Sequence, residues 1–208
     1  MAYFSTLAPG SALPSGETCA TLVRATPEHR SANASYNGAA APGSPPSIDG
    51  ATSAFNAAYS GRIDGNFSGT TDEILQWASC KWGFDENVTR ARAWNESWWF
   101  QSYYGDNGQS CGILQVKGWV HEQTWPRACD STAFNADYSL AWLRACYEGA
   151  FPWLGQYGTT QYGPYQAGDL WGCIGAWYSG TWNTNGSRDY QGWVQANLAN
   201  RPWDALVP

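Results

Sequence analysis

The stretch NESWWFQSYYGDNGQSCGILQV, residues 95–116, decides both the fold and the chemistry that we expect from this chain. It places one carboxylate, Glu96, among tryptophans, although charged residues make up only 13% of the chain. Burial beside apolar rings disfavours the ionised form of a carboxyl group and raises its pKa. Because a carboxyl group that stays protonated near neutral pH can donate a proton, Glu96 is a candidate general acid. The alternative is a solvated residue at a helix end.

The second half of the stretch offers a partner acid. Asp106 lies ten residues after Glu96, among turn-forming residues, and an apolar run follows it. We interpret this part as a loop or small hairpin that leads into a short helix. Hydrolysis of a glycosidic bond with inversion needs a second carboxylate, about 6.5–9.5 Å from the acid, to activate a water. Asp106 is therefore the candidate general base.

Helices flank the stretch on its N-terminal side. Thr70 and Glu73 have the spacing of a capping box, and the helix that they begin is expected to end at Gly83. A second helix is expected over residues 85–97, with acids in its first turn, where they suit the helix dipole. Glu96 then falls in the last turn of that helix.

Three more helices are expected downstream. The segment FNADYSLAWLRACYEG, residues 134–149, has the spacing of an amphipathic helix, and GDLWGCIGAWYSG, residues 168–180, that of a buried one. In SRDYQGWVQANLANRP, residues 187–202, apolar residues also repeat at helical spacing. The chain from residue 70 onward should therefore be mostly helical, with one irregular or β-containing excursion after Glu96.

Residues 1–69 have a different composition, rich in Ala, Gly, Ser and Pro. This composition predicts irregular structure with little helix. Cys19 suggests that the segment is fastened to the rest of the chain rather than free. We expect an N-terminal extension packed on a body of residues 70–208; a short separate module is the less favoured alternative.

Charge, hydropathy and cysteine content argue against nucleic-acid partners, membrane spans and zinc sites. The net charge is −6 and the pI about 4.7, which disfavours nucleic acids and anionic membranes as partners. No run of about 20 apolar residues is present, so no membrane-spanning helix is expected. Six cysteines without a CxxC pair, and only two histidines, indicate disulfides in an oxidising compartment rather than zinc. Fifteen pairings are possible and stay open. We expect a secreted monomer without metal or cofactor, whose signal peptide is not in this chain.

Aromatic residues point toward a sugar ligand. They make up 16% of the chain, including 14 Trp and 12 Tyr, and flat rings can stack on the C–H faces of sugars. Crowded core packing is the alternative for each ring. The candidates for platforms that bind sugar are Trp119, Trp125, Trp153, Trp171 and Trp182.

The other polar candidates have simpler interpretations. His121, next to Glu122, has no Ser or Cys nucleophile in a recognisable motif near it, so we interpret it as a surface residue. Asp130, Asp137 and Asp169 are interpreted as acids of loops or helix starts.

The order of these motifs resembles the superfamily of goose-type lysozymes and lytic transglycosylases. Glu96-Ser97 is similar to that family's catalytic Glu followed by Ser, and GILQV, residues 112–116, is similar to its Gly-Leu-Met-Gln segment. NADYSLAWL and AWYSG, residues 135–143 and 176–180, resemble two later family segments, and the resemblance covers residues 70–203. It implies a lysozyme-like domain with Glu96 as the acid. The implied substrate is an N-acetylhexosamine polymer.

Departures from the family pattern refine this expectation. Asp106 stands six residues before Gly112, as a second acid does in goose-type lysozymes, whereas lytic transglycosylases generally lack this carboxylate. Lys117 stands where goose-type enzymes often have a further Asp, and Tyr178 stands at the usual Asn position of AWYSG. Tyr178 at this Asn position weakens the case for peptidoglycan.

We therefore predict a mainly helical α+β, lysozyme-like domain that cleaves a β-1,4-linked polysaccharide within the chain, by inversion. Glu96 is the predicted general acid and Asp106 the general base. The predicted substrate-binding residues are Tyr103, Gln115, Trp177 and Tyr178. Peptidoglycan and chitin are favoured, and another neutral glycan stays open because a fold does not fix a substrate. The rivals are a lytic transglycosylase and a carbohydrate-binding protein without activity.

Overall fold

The structure is a computed structural model that describes residues 3–157 and 163–206. Over these residues the chain is mainly helical, with one small antiparallel sheet and three disulfide bonds. Their helices are α1 (Gly16–Leu22), α2 (Ala34–Asn37), α3 (Ser53–Tyr59), α4 (Thr71–Trp82), α5 (Glu86–Ser97), α6 (Arg127–Asp130), α7 (Thr132–Tyr147), α8 (Leu154–Tyr157), α9 (Leu170–Ser179) and α10 (Asn185–Asn200). Single 3-10 turns occur at Ser31–Asn33, Ser60–Arg62, Asp106–Gly108, Glu122–Thr124 and Pro202–Ala205. None of these helices has the length and hydropathy needed to cross a bilayer.

The helices α4 and α5 form where the sequence predicts them. Thr70 accepts a hydrogen bond from the Glu73 amide while the Glu73 side chain accepts one from the Thr70 amide, so the capping box is confirmed. Gly83 ends α4 with φ 67°, a left-handed conformation that glycine adopts without steric cost. Asp85 caps α5 through the amide of Asn87. Glu96 therefore lies in the last turn of α5, as predicted.

Helix α7 lies in the centre of the core, and its predicted amphipathic character is wrong. All of its side chains are buried, including Asp137. Asp137 accepts hydrogen bonds from the Lys81 ammonium, the Trp82 indole and the backbone amide of Gly65. The interpretation of Asp137 as a loop or helix-start acid is thus also wrong, because it joins three segments inside the core. Asp169, in contrast, caps α9 through the amide of Gly172, as a helix-start acid does.

The N-terminal segment packs along this core through covalent and polar contacts. Cys19 in α1 forms a disulfide with Cys80 in α4. The Arg24 amide donates to the side chain of Gln76, and Ile48 is buried. The segment contains three short helices, α1 to α3, in otherwise irregular chain. Its division from the body at residue 69 stays a prediction.

A hairpin-like sheet follows α5. Its strands are β1 (Tyr104–Gly105), β2 (Ser110–Cys111) and β3 (Val116–Lys117), in the order β1-β2-β3, and both pairings are antiparallel. The short helix expected after Gly112 is absent from this described part of the chain. Gly112 and Gln115 have φ of 83° and 50°, which turns the chain so that Val116 pairs with Cys111 instead of starting a helix.

Two further disulfides hold the C-terminal half. Cys111 is bonded to Cys129, and Cys146 is bonded to Cys173. All six cysteines are therefore paired, which confirms the expectation of up to three disulfides. The first of these two bonds ties β2 to α6. The second joins α7 to α9, the helix that forms one wall of the site described next.

Candidate active site

The end of α5, the sheet and α9 enclose a cleft of about 630 Å³. The chain leaves α5 sharply, because Trp98 and Trp99 adopt left-handed conformations with φ of 50° and 69°. Ser97 donates a hydrogen bond of 3.0 Å to the carbonyl of Ile113, which fastens the helix end to the turn between β2 and β3. The last turn of α5 and the sheet are thus held together, and Glu96 lines the cleft between them.

The cleft contains all six residues that the sequence predicts for the site. Glu96, Asp106, Tyr103, Gln115, Trp177 and Tyr178 all line it. The remaining lining residues come from the N-terminal segment, the sheet, the loop after β3 and α7 to α9: Asp49, Gly105, Ser110, Lys117, Trp119, Val120, His121, Trp142, Trp153, Ala176, Ser179 and Gly180. The structure thus brings the six predicted residues together in one cleft. Their catalytic and binding roles stay predictions.

Glu96 has the electrostatic environment that a general acid needs. The pKa of its carboxyl group is about 7 instead of the ordinary 4.5, and burial is the largest cause of this rise. The nearby Asp106 carboxylate also raises the pKa, while the Tyr190 hydroxyl, the Arg92 guanidinium and the Trp177 indole lower it. Tyr190, in α10, donates a short hydrogen bond to Glu96 Oε1. Glu96 is therefore protonated in a large fraction of molecules near neutral pH.

A buried guanidinium lies behind this carboxyl group. Arg92 precedes Glu96 by one turn of α5 and is fully buried. Its Nη2 donates to Ser139 Oγ at 3.3 Å, whereas Nε and Nη1 are buried without a hydrogen-bond partner among the described residues. The guanidinium carbon lies 5.7 Å from the centre of the Trp177 ring. Arg92 thus supplies a positive charge in a poorly solvated place, where charge interactions are stronger than in water.

Asp106 has the opposite environment. Its side chain is 52% exposed, and Oδ2 accepts hydrogen bonds from Lys117 Nζ at 2.7 Å and from Ser110 Oγ at 2.8 Å. These two contacts lower the pKa of Asp106, so the carboxylate is ionised at neutral pH. The other oxygen, Oδ1, accepts no hydrogen bond from the described residues. Lys117, which stands where the family pattern has an acid, therefore acts on Asp106 as its counter-ion.

Two acids with opposed pKa shifts in one cleft are the pattern that separates a proton donor from a base. Glu96 has a raised pKa and Asp106 a lowered one. The two groups are near enough for the charge of Asp106 to act on Glu96. The arrangement can supply both a proton and an ionised carboxylate within one cleft.

The predicted aromatic binding residues differ in how much of each ring a ligand can reach. Tyr178 is 52% exposed and stacks on Tyr190, at 4.8 Å between ring centres. Tyr103 is exposed beside Trp98. Trp177 is partly buried and stacks on His121, with ring centres 5.5 Å apart. These three rings can contact a sugar from the walls of the cleft.

Gln115 has a mainly structural role. Its Nε2 donates to the carbonyls of Tyr103 and Gly112, and its side chain is buried against Gly105. Both donors of the amide are therefore used inside the turn that carries the site. Only the amide oxygen is left for a ligand.

Several residues of the site were missed or misjudged at the level of sequence. His121 is 5% exposed, so its interpretation as a surface residue is wrong; it packs between Trp177 and Tyr138. Tyr190 has helical spacing in the sequence but no motif that marks it as a partner of Glu96. Asp49 lies in the N-terminal segment, in a stretch without any motif.

The tryptophans divide between cleft and core. Trp119 and Trp153 line the cleft, and Trp119 also borders a shallow depression together with Trp125. Trp182 is buried, and Trp171 packs against the core. The abundance of aromatic residues thus reflects both core packing and an aromatic cleft.

No protein-family model, no curated protein and no solved structure gives a significant match to the chain. Function is therefore inferred from the residues and their geometry.

Proposed function

We propose that the protein is a secreted glycoside hydrolase that cleaves a β-1,4-linked polysaccharide within the chain, with inversion at the anomeric carbon. The observation that carries this proposal is the pair of carboxyl groups with opposed pKa shifts in one aromatic cleft. The motif resemblance to goose-type lysozymes and lytic transglycosylases supports it, since Glu96 and Asp106 match that pattern. Three disulfides suit a protein of an oxidising compartment.

In the proposed reaction, the protonated Glu96 donates its proton to the glycosidic oxygen as the bond to the anomeric carbon breaks. Asp106 accepts a proton from a water molecule, whose oxygen forms the new bond on the opposite face of the sugar. One water is consumed and both carboxyl groups exchange their protonation states, so the reaction balances. The Tyr190 hydroxyl and the Arg92 guanidinium then stabilise the Glu96 carboxylate that the proton transfer leaves.

The substrate is proposed to be an N-acetylhexosamine polymer, with chitin favoured over peptidoglycan, whose peptide stems carry carboxylates. Among the described residues that line the cleft are three with carboxyl groups, Glu96, Asp106 and Asp49, and one lysine, Lys117, which is paired with Asp106. A strongly anionic polymer would meet net repulsion there. Exposed aromatic rings at its walls, such as Tyr178, offer surfaces for sugar rings.

The test is product analysis on a panel of chitin, peptidoglycan and neutral glucans in ¹⁸O-labelled water. Hydrolysis by inversion places the label at the new reducing end, and NMR shows the α-anomer first. An unlabelled anhydro-sugar, lighter by one water, would instead identify a lytic transglycosylase that uses Glu96 alone.

Substitutions separate the remaining alternatives. Glu96→Gln should lower kcat by at least about 100-fold, the usual contribution of a general acid, while substrate binding persists. Asp106→Asn should lower kcat by a similar factor. Glu17→Gln and Asp130→Asn, at exposed acids outside the cleft, are the matched controls and should leave kcat unchanged. Wild-type protein that binds glycans but turns none over would favour a binding protein without activity.

A further inference from the structure

One described residue of the N-terminal segment lines the cleft, and it is an acid that the proposed reaction does not use. Asp49 lines the cleft, and its side chain is 42% exposed. Asp49 is not among the charges that shift the pKa of Glu96, which are Arg92 and Asp106. Its exposed carboxylate is available for contact with a ligand in the cleft.

The loop that carries Asp49 is fastened on both sides. Gln123 Nε2 donates to Asp49 Oδ1 at 2.8 Å and to the carbonyl of Ser47 at 2.7 Å. Trp153 Nε1 donates to the carbonyl of Gly50 at 3.0 Å, and Ile48 is buried between these contacts. The carboxylate is therefore held in place before any ligand binds, which lowers the entropy cost of binding.

His121 lies next to Asp49 in the same wall. Its Nδ1 is 2.9 Å from the Tyr138 hydroxyl and 3.5 Å from Asp49 Oδ2. The other ring nitrogen, Nε2, has no hydrogen bond to the described residues. The imidazole is stacked on Trp177, with an angle of 8° between the rings. This part of the cleft thus combines a fixed carboxylate, a ring nitrogen and the rings of Trp177 and Trp153, which all line it.

We propose that Asp49, His121, Trp153 and Trp177 form a glycan-binding subsite in which Asp49 accepts hydrogen bonds from a pyranose ring that lies against the tryptophans. The donor groups of the sugar are hydroxyl or ammonium groups, because an ionised carboxylate can only accept hydrogen bonds. The subsite rests on the proposed function, in that it extends the same cleft. It assigns to the N-terminal segment a direct part in substrate choice.

The subsite differs in kind from the catalytic pair. Asp106 is paired with a lysine, whereas Asp49 contacts the amide of Gln123, the imidazole of His121 and the hydroxyl of Tyr138. A carboxylate without a lysine or arginine partner keeps more of its negative potential for a ligand. The subsite should therefore discriminate between sugars that differ in one donor group. A sugar without that donor leaves the fixed Asp49 carboxylate unpaired and binds more weakly.

The experiment measures binding separately from turnover. Binding of oligosaccharides of chitin, chitosan and β-1,4-glucan is measured by isothermal titration calorimetry on the Glu96→Gln protein, which preserves the ligand. Asp49→Ala in this background should raise the Kd of the bound oligosaccharide by about tenfold, which corresponds to about 1.4 kcal/mol. Gln123→Ala, which releases the carboxylate from its support, should raise it by a smaller factor. Asp189→Asn, at an exposed acid on α10, is the control and should leave Kd unchanged.

The oligosaccharides identify the donor group. A larger loss for chitosan than for chitin would show that Asp49 binds the free amine, and an equal loss would show that it binds hydroxyl groups common to both. An unchanged Kd for every oligosaccharide in Asp49→Ala, with an unchanged melting temperature, would overturn the subsite even if the wild type hydrolyses a glycan. Binding that falls in Asp49→Ala, together with a wild type that turns over no glycan, would instead overturn the hydrolase and leave the subsite.

Discussion

Removal of one hydroxyl, in Tyr190→Phe, tests how the cleft sets the protonation of Glu96. The Tyr190 hydroxyl donates to Glu96 Oε1, and this contact partly offsets the effect of burial, so that the pKa of Glu96 is about 7. A hydrogen bond to a charged group contributes about 1.5–3 kcal/mol. Each pKa unit corresponds to about 1.4 kcal/mol, so the pKa of Glu96 should rise by about one to two pH units in the variant.

The assay is the pH dependence of kcat/KM, with the pKa of Glu96 followed independently by ¹³C NMR of the labelled carboxyl group. A general acid is active when protonated, so its pKa sets the alkaline limb of the profile. That limb should move to higher pH in Tyr190→Phe. The maximum of kcat should fall, because the Glu96 carboxylate formed by proton transfer loses a donor.

The fold should tolerate this change, since phenylalanine keeps the ring that stacks on Tyr178. Tyr165→Phe is the matched control: it also removes a partly buried tyrosine hydroxyl, which donates to the carbonyl of Cys146 far from Glu96. An alkaline limb that stays in place, or moves to lower pH, in Tyr190→Phe alone would refute the role of this hydrogen bond.

Three further predictions concern stability and the second acid. The folded-state pKa of Glu96, about 7, lies above its ordinary 4.5, so the native state binds a proton more tightly than the unfolded chain, and the wild type loses up to about 3 kcal/mol of unfolding free energy as pH rises from 4.5 to 7. Glu96→Gln should remove this loss in urea titrations. Equal slopes of unfolding free energy against pH for the two proteins would contradict the prediction. Lys117→Met should raise the lowered pKa of Asp106 and move the acidic limb of the pH–rate profile to higher pH. An acidic limb at the same pH as in the wild type would show that the ion pair does not set the pKa of Asp106. Replacement of Cys19 and Cys80 by serine opens a loop spanning 61 residues and should lower the free energy of unfolding by about 4 kcal/mol, measured by urea unfolding against the oxidised wild type. An unchanged free energy of unfolding would show that the bond does not restrict the unfolded chain.

Local sequence signals predict the helices that carry the site because those signals act over a few residues. The Thr70 capping box, the stop at Gly83 and the position of Glu96 in the last turn of α5 all follow from neighbours in sequence. The helix expected after Gly112 fails because a left-handed turn and strand pairing overrule it. Cys111 and Val116 are close in sequence, but the turn between them needs a left-handed conformation at Gln115, which non-glycine residues rarely adopt and which the residue type does not signal.

The burial of single polar side chains was least predictable. The core position of Asp137 depends on Lys81 and Trp82, which are more than 50 residues away in the chain. His121 is covered by Trp177 and Tyr138 from other helices. A sequence shows that such residues are polar, but only the packing of distant segments shows that they are buried.

The same limit applies to the chemistry of Glu96. Its aromatic neighbours in sequence predict a raised pKa, and burial does raise it. Burial alone, however, would favour an acid that holds its proton too strongly to transfer it at neutral pH. Tyr190, 94 residues away in sequence, and the buried Arg92 oppose this effect and bring the pKa to about 7. Burial of the Glu96 carboxyl group therefore accounts for why the proton is held, and the packing of α10 against α5 accounts for why it can be released.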